Sequence, residues 1–399
     1  MKPGTPGFVG ERLREAREAH EMTITALSEI LGVSKQAISQ YEKGVQTPRP
    51  EVMERLAARL NLPMRFFLQP RPETAFNTVF FRSMSSATNS ARGRGKIRFG
   101  WLKEMVAYLR QFVLFKDVHL PDFDIPQDPL VLNPEKIEWY ARECRRKWDM
   151  GDGAITNVVL LLENNGIVVT RGQLGEKLDA FSEWSTSDNT PYIFLGTDKQ
   201  TAVRSRFDAA HELGHLLLHR SIPKNLLNNS RDFNLIERQA DRFAAAFLLP
   251  AEIFLRDLSF PSLDAFRVLK EKWKVSIQMM IMRCWHLNIV NDEERQRLFV
   301  NLNRRGWRKK EPLDDRLAPE RPVFLRRCFE LLIENHVQSR EDILSTLPFR
   351  ISDIEELTEL PKGFLEEQGN KIEPLPRLAS PRSDRRPTSG ADIIPFKRQ

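Results

Sequence analysis

The sequence predicts a mainly α-helical chain with a small β component, and three observations carry that prediction. Residues 8–68 are punctuated by Gly32, Gly44, Pro48, Pro50 and Pro63 into five short helices. The stretch FDAAHELGHLLL at 207–218 is apolar on both sides of its charged residues and reads as a buried helix; two β-branched stretches, 166–170 and 192–195, precede it. Beyond Pro250, apolar residues again recur at helical spacing, through LDAFRVLKEKWKVSIQMMIMRCWHLNIV at 263–290.

At 399 residues with 41% hydrophobic content, the chain is long enough for two or three domains with their own cores. No run approaches the 18 or so apolar residues that span a bilayer, and MKPGTPGFVG lacks the apolar centre of a signal peptide, so a cytoplasmic location without membrane contact is expected. The net charge of +7 favours a nucleic-acid partner only weakly, because much of the excess lies at Arg304–Lys310 and in the C-terminal tail. Cys144, Cys284 and Cys328 are far apart and without metal-ligand spacing; they read as reduced, buried thiols.

In the N-terminal module a helix ending at Leu31, the turn Gly32-Val33-Ser34 and a helix from Lys35 to Lys43 make a compact helix-turn-helix. Ser34 is a natural N-cap, and Ala26, Leu27, Ile30, Val33, Ala37 and Ile38 supply the small apolar contacts between the helices.

The segment AAHELGHLLLH sets His211 and His215 four residues apart, on one helix face, where both imidazoles can bind one ion. Glu212, beside the first of them, can take a proton from water during attack on a carbonyl and deliver it to the leaving amine. On a buried helix, two histidines and a glutamate are costly unless they are used. Zinc requires a third protein ligand, for which His219, Glu237 and Asp241 compete. His219 lies about 12 Å along the helix from His211, too far to share the ion with both histidines, and suits the helix end or an outer position. Leu216–Leu218 replace the glycine break that would bring in a third histidine from the same segment. The next helix, IERQADRFAAAFLLP, places Glu237 and Asp241 one turn apart; Glu237 is assigned to the metal and Asp241 to the orientation of a ligand histidine.

The segments RFDAAHELGHLLLH at 206–219 and ERQADRFAAAFLLP at 237–250, with DAFSEW at 179–184 and YIFLG at 192–196, resemble the ImmA/IrrE family of metallopeptidases. The resemblance implies an α+β zincin-like metallopeptidase domain with one zinc ion per chain, or another divalent metal in its place. It also implies His211, His215 and Glu237 as ligands, Glu212 as the catalytic residue, and action on helix-turn-helix repressors. The segment GVSKQAISQYEKG at 32–44 resembles the phage-repressor (XRE-like) DNA-binding family. That resemblance implies that Lys35, Gln36, Ser39 and Gln40 face the major groove, and that Arg17 and Glu42 form a buried ion pair. Gln36 is suited to bidentate pairing with adenine, whereas Thr23 and Lys43 are suited to phosphates.

The expected organisation is therefore a helix-turn-helix domain at 8–69, a connecting segment with a helix at 70–132, a peptidase domain at 133–300, a helical extension at 301–369 and a disordered tail at 370–399. Tyr192, on a strand just before the active-site helix, reads either as core or as part of a substrate cleft. Met279, Met280 and Met282 read as core or as groove lining, and the arginine-rich segment 91–98 is a conceivable cut site. The function expected is a DNA-binding transcriptional regulator whose zinc endopeptidase cleaves a repressor or partner regulatory protein; a non-cleaving sensor or dimerisation body is the rival. Its partners would be double-stranded operator DNA and a protein substrate, and a homodimer is allowed but not required.

Overall fold

The computed structural model describes residues 4–71, 79–81, 89–174, 178–198, 201–223, 226 and 229–366. The expected tail lies outside them. Helices α1 (Gly10–Ala19), α2 (Ile24–Leu31), α3 (Lys35–Glu42) and α4 (Pro50–Leu60) and a 3₁₀ turn at Met64–Phe67 form the N-terminal bundle. The hydroxyls of Thr23 and Ser34 accept from the Ala26 and Ala37 amides at 3.1 Å, which starts α2 and α3. Gly32 closes α2 at φ 64°, a left-handed conformation that costs glycine little, and so turns the chain into α3. Leu13, Leu27, Leu31, Ile38, Leu56 and Phe66 are buried between these helices. Ile30, expected among the interhelical contacts, is 41% exposed.

Residues 70–132 supply more than a connection. They contribute strand β1 (Val79–Phe81) and the 21-residue helix α5 (Asn89–Leu109). The segment weighed as a cut site, 91–98, lies within α5, and Gly95, Ile97 and Arg98 are buried. A peptidase cleft takes an extended backbone, whereas this one is hydrogen-bonded along its own helix, so the segment is not a cut site as it stands.

Strands β2 (Val168–Gly172), β3 (Ala180–Ser185) and β4 (Thr190–Gly196) join β1 in a four-stranded sheet of order β1-β3-β4-β2. β2 and β4 are parallel; β3 is antiparallel to both β4 and β1. Side chains alternate across the sheet. Val168, Phe181, Tyr192 and Phe194 face a core shared with α5 and the N-terminal bundle, whereas Val169, Ala180, Ile193 and Leu195 face a second core. Of DAFSEW, residues 180–184 lie in β3. Two of its polar side chains have buried partners: Glu183 accepts from Lys103 at 2.8 Å and Ser182 reaches Glu212 in the second core.

The second core is built from α6 (Pro134–Lys147), α7 (Val158–Asn164), α8 (Ala202–Leu218), α9 (Ser230–Leu248), α10 (Ala251–Asp257), α11 (Leu263–Trp273), α12 (Ile277–His286) and α13 (Asp292–Arg304). The stretch 263–290 is two helices because Lys274 takes a left-handed conformation (φ 51°) and ends α11. Helices α14 (Phe324–Glu334), α15 (Arg340–Thr346) and α16 (Ile351–Thr358) return to the first core, so the C-terminal extension closes over α5 and β2.

α8 packs on α9 at Gly214, where a Cβ atom would lie 3.2 Å from Phe243 Cδ1 and 3.3 Å from Ala240 Cα. The obstacle is partly backbone, so a side chain there would have to spread the helices. Gly214→Val should cost about 1–3 kcal/mol of stability in urea unfolding, the usual penalty of overpacking; an unchanged midpoint would show that the pair yields freely. Cys144, Cys284 and Cys328 are buried and form no disulfide. Among the described residues, no helix is long and apolar enough to cross a membrane.

Candidate metal centre

The active-site-like cluster forms where α8, α9 and β3 meet. His211 and His215 lie one turn apart on α8 with their Nε2 atoms 2.9 Å apart. Glu237, from α9, brings Oε2 to 3.5 Å from His211 Nε2 and Oε1 to 3.3 Å from His215 Nε2. These three side chains form a group that could hold a metal ion, and both histidines are wholly buried.

The hydrogen bonds around the rings decide their tautomers. Asp241 Oδ1 lies 2.8 Å from His211 Nδ1 and, as a carboxylate, can only accept there, so the proton sits on Nδ1 and the lone pair on Nε2. On the other ring a longer relay acts. Gln239 Nε2 donates to Pro129 O at 2.6 Å and to Leu132 O at 3.2 Å, which turns its Oε1 toward His219 Nε2 at 3.2 Å. His219 Nε2 therefore carries the proton and its Nδ1 accepts. Nδ1 of His219 lies 3.0 Å from His215 Nδ1, so His215 donates from Nδ1 and leaves Nε2 as a lone pair. Burial, then the neighbouring His215 ring, holds His219 well below the ordinary histidine range; burial also lowers His215.

Two imidazole lone pairs and a carboxylate thus converge on one point. Burial works to raise the Glu237 carboxyl, but the closeness of the His211 and His215 rings outweighs it and holds the group below its ordinary range. The donor set, two neutral imidazoles and one carboxylate, is that of a three-ligand zinc site, and so the residues present fit the ion.

Glu212 is wholly buried. Its Oε2 accepts from Ser182 Oγ at 2.6 Å, while its Oε1 is buried without a hydrogen-bond partner among the described residues. Burial pushes its carboxyl up to about 8, against the His211 ring and the Ser182 hydrogen bond. Beside Asp241 opens a cavity of about 490 Å³, lined by Phe207, Met279, Met282, Trp285 and Phe299, with Arg238 and Arg308 among its polar residues. Met280 is core instead, wholly buried.

The geometry brings together His211, His215, Glu237, Glu212 and Asp241, and sets His219 against His215. It leaves Tyr192 outside. That side chain is wholly buried on the α5 face of an interior strand, with its hydroxyl donating to Asp188 Oδ2 at 2.6 Å. Ser182 and Gln239 were not singled out in the sequence. Gln239 sits two residues from Glu237, so helical spacing gives it no reason to share a site with it; only the 129–132 segment fixes its role. Replacing it with leucine frees the His219 tautomer and should weaken zinc binding about 10–100-fold in a chelator competition; unchanged affinity would exclude the relay.

At the other end of the chain, Lys35, Gln36 and Lys43 are exposed on and just after α3, and Ser39 and Gln40 are half-buried. Thr23 is exposed, with its oxygen committed to capping α2. Arg17 Nε and Nη2 donate to the Glu42 carboxylate at 2.5 and 3.1 Å, an ion pair that ties α1 to α3.

Residues 162–284 match the family described as the IrrE N-terminal-like domain, an M78 peptidase family, and residues 13–67 match the helix-turn-helix family. Among curated proteins, the chain is similar to an uncharacterized HTH-type transcriptional regulator, RghRB, of Bacillus subtilis (strain 168). The two are 40% identical over 55 residues, which cover 14% of this chain and 40% of that protein. It is also similar to an uncharacterized HTH-type transcriptional regulator, y4wC, of Sinorhizobium fredii, at 27% identity over 104 residues, or 26% of this chain and 70% of the relative.

Proposed function

For a chain that joins a helix-turn-helix domain to an IrrE N-terminal-like domain, we propose a DNA-binding transcriptional regulator with a zinc-dependent endopeptidase that cleaves a repressor or partner regulatory protein. One observation carries the reading. The two Nε2 lone pairs and the Glu237 carboxylate converge beside a glutamate that is held by one oxygen and unpartnered at the other.

His211, His215 and Glu237 would hold the cation, with Asp241 and the His219–Gln239 pair keeping the rings in the binding tautomer. When bound, a divalent cation supplies Lewis acidity, which polarises a carbonyl and makes water acidic. Ser182 anchors Glu212 Oε2 and so leaves Oε1 to move the proton. Glu212 takes that proton from water as the water oxygen bonds to the scissile carbon. It then delivers the proton to the amide nitrogen as the C–N bond breaks, giving a carboxylic acid and a free amine, and the acid's proton passes to the amine to leave a carboxylate and an ammonium group.

The helix-turn-helix would bring this chemistry to an operator. Lys35, Gln36, Ser39 and Gln40 are assigned to base edges, and Thr23 and Lys43 to phosphates. Gln36→Ala should weaken operator binding by about 1–3 kcal/mol and relax specificity at one base pair, with non-specific binding little changed, in gel shifts at fixed salt. A uniform loss on all sequences would reassign Gln36 to the backbone.

The direct test incubates the zinc-loaded protein, or its Glu212→Gln variant, with repressor-type proteins encoded beside it and looks for fragments by mass spectrometry. Fragments that appear with the first and not with the second are expected. Specific operator binding with no fragments from either favours the rival, a non-cleaving sensor or dimerisation domain. The complete burial of His211, Glu212 and His215 favours that second reading as the structure stands.

A further inference from the structure

The cavity of about 490 Å³ beside Asp241 is distinct from the metal centre, because none of His211, Glu212, His215 and Glu237 lines it. Asp241 holds His211 by Nδ1, whereas Nε2 of the same ring turns toward His215 and Glu237. The cavity therefore lies behind the ring, on the side away from the point where the ligand atoms converge. Its volume is that of a small-molecule site. Its walls are apolar and soft: Phe207 from α8, Met279, Met282 and Trp285 from α12, and Phe299 from α13. All but Met279 keep part of their surface in contact with solvent, and a ligand that covered them would gain by removing it.

The polar lining divides by charge. The acids are already engaged. Glu311 accepts from Lys270 Nζ at 2.8 Å and from the Ile277 amide at 2.7 Å, Asp314 accepts from Lys270 Nζ at 2.6 Å, and Asp241 faces His211. Asp208 is wholly buried and has a partner. Of the bases, Arg204 is paired with Asp179 at 2.8 Å, whereas Arg238, Arg308 and Lys309 are exposed and, among the described residues, form no ion pair. An apolar hollow with unpaired cations at its mouth matches a ligand with an apolar body and an anionic end.

We propose that this cavity binds a small organic anion with an aromatic or otherwise apolar body, its charged group against Arg238 and Arg308, and that the bound anion strengthens the metal site through Asp241. The Asp241 side chain is 42% exposed in the cavity wall, so a ligand packed on it removes the room in which it could swing away from His211 Nδ1. Arg238, three residues earlier on α9, shares that face and offsets repulsion between the anion and the Asp241 carboxylate. An anion behind the ring and a cation at Nε2 attract each other, and the coupling is reciprocal. The coupling rests on the three-ligand reading of the metal centre; the binding of the anion does not.

The test titrates the full chain with 8-anilinonaphthalene-1-sulfonate and with N-phenyl-1-naphthylamine, which shares its apolar body and carries no charge, and follows probe fluorescence. The sulfonate should saturate at one site. Arg238→Glu/Arg308→Glu, confined to exposed positions, should weaken the sulfonate about tenfold or more and the neutral analogue less than about twofold. Met282→Trp, which fills the hollow, should weaken both about tenfold or more. A sulfonate that fails to saturate, or that binds the double variant as well as the unmodified chain, overturns the site. If circular dichroism finds Met282→Trp unfolded, the arginine pair decides alone. Chelator competition then compares zinc affinity with and without saturating sulfonate. A gain of about fivefold or more is expected in the unmodified chain, with none in Asp241→Ala; an unchanged affinity in the unmodified chain overturns the coupling. Sulfonate binding by a chain that takes up no zinc would reject the three-ligand reading, and the coupling with it, while upholding the anion site.

Discussion

Glu237→Ala is expected to abolish stoichiometric zinc binding near neutral pH. Its carboxylate is the only acidic side chain in the three-residue group that could hold a metal, and the two histidines beside it are neutral in their binding tautomers. Removing it takes away both a ligand and the negative charge that offsets the cation. The affinity should fall by roughly a thousandfold or more, beyond the 10–100-fold that an outer partner such as Gln239 contributes. Competition with a chromophoric chelator measures both losses on one scale. A Glu237→Ala chain that still binds one zinc tightly would move the third ligand elsewhere, with His219 and Asp241 as the nearest candidates, and would undo the tautomer argument with it.

Arg12→Ala should cost about 3–5 kcal/mol of stability, because it strands two carboxylates at the seam between the N-terminal bundle and α5. Arg12 is 1% exposed and donates to both Glu104 oxygens at 2.9 and 2.8 Å, with Glu15 a further 3.2 Å away. Burial already raises the Glu15 carboxyl despite Arg12 and the Trp101 indole N–H. The pair Arg12→Met/Glu104→Leu removes one of the stranded charges and should recover part of the loss. Denaturant unfolding of the full chain reads both. A cost under about 1 kcal/mol for Arg12→Ala would mean that the seam is wet, and the DNA-binding bundle would then move independently of the rest.

Much of the candidate site was legible in one dimension. The i, i+4 histidines, the adjacent glutamate and the next helix's carboxylates rest on helical periodicity, which fixes which side chains share a face whatever surrounds them. The same holds for the helix-turn-helix, whose caps at Thr23 and Ser34 and left-handed Gly32 are local events. Asp241 could be paired with a histidine for the same reason, one helical turn beyond Glu237.

What periodicity could not supply were contacts between elements. Ser182 matters because β3 crosses α8 at Glu212, and Gln239 because the 129–132 carbonyls turn its amide. The strand at Ala180–Ser185 depends on partners for its polar residues in Lys103 and Glu212, and Tyr192 lies in the core because β4 is interior. The arginine- and glycine-rich stretch 91–98, weighed as a cut site, is part of α5, with Gly95, Ile97 and Arg98 buried. By itself, then, the sequence determined the candidate ligand types, their spacing and the two modules, because those depend on neighbours in the chain. Tertiary structure alone decided the ring tautomers, the anchoring of Glu212 and the pairing of β1 with β3, because each is a contact between segments far apart in sequence.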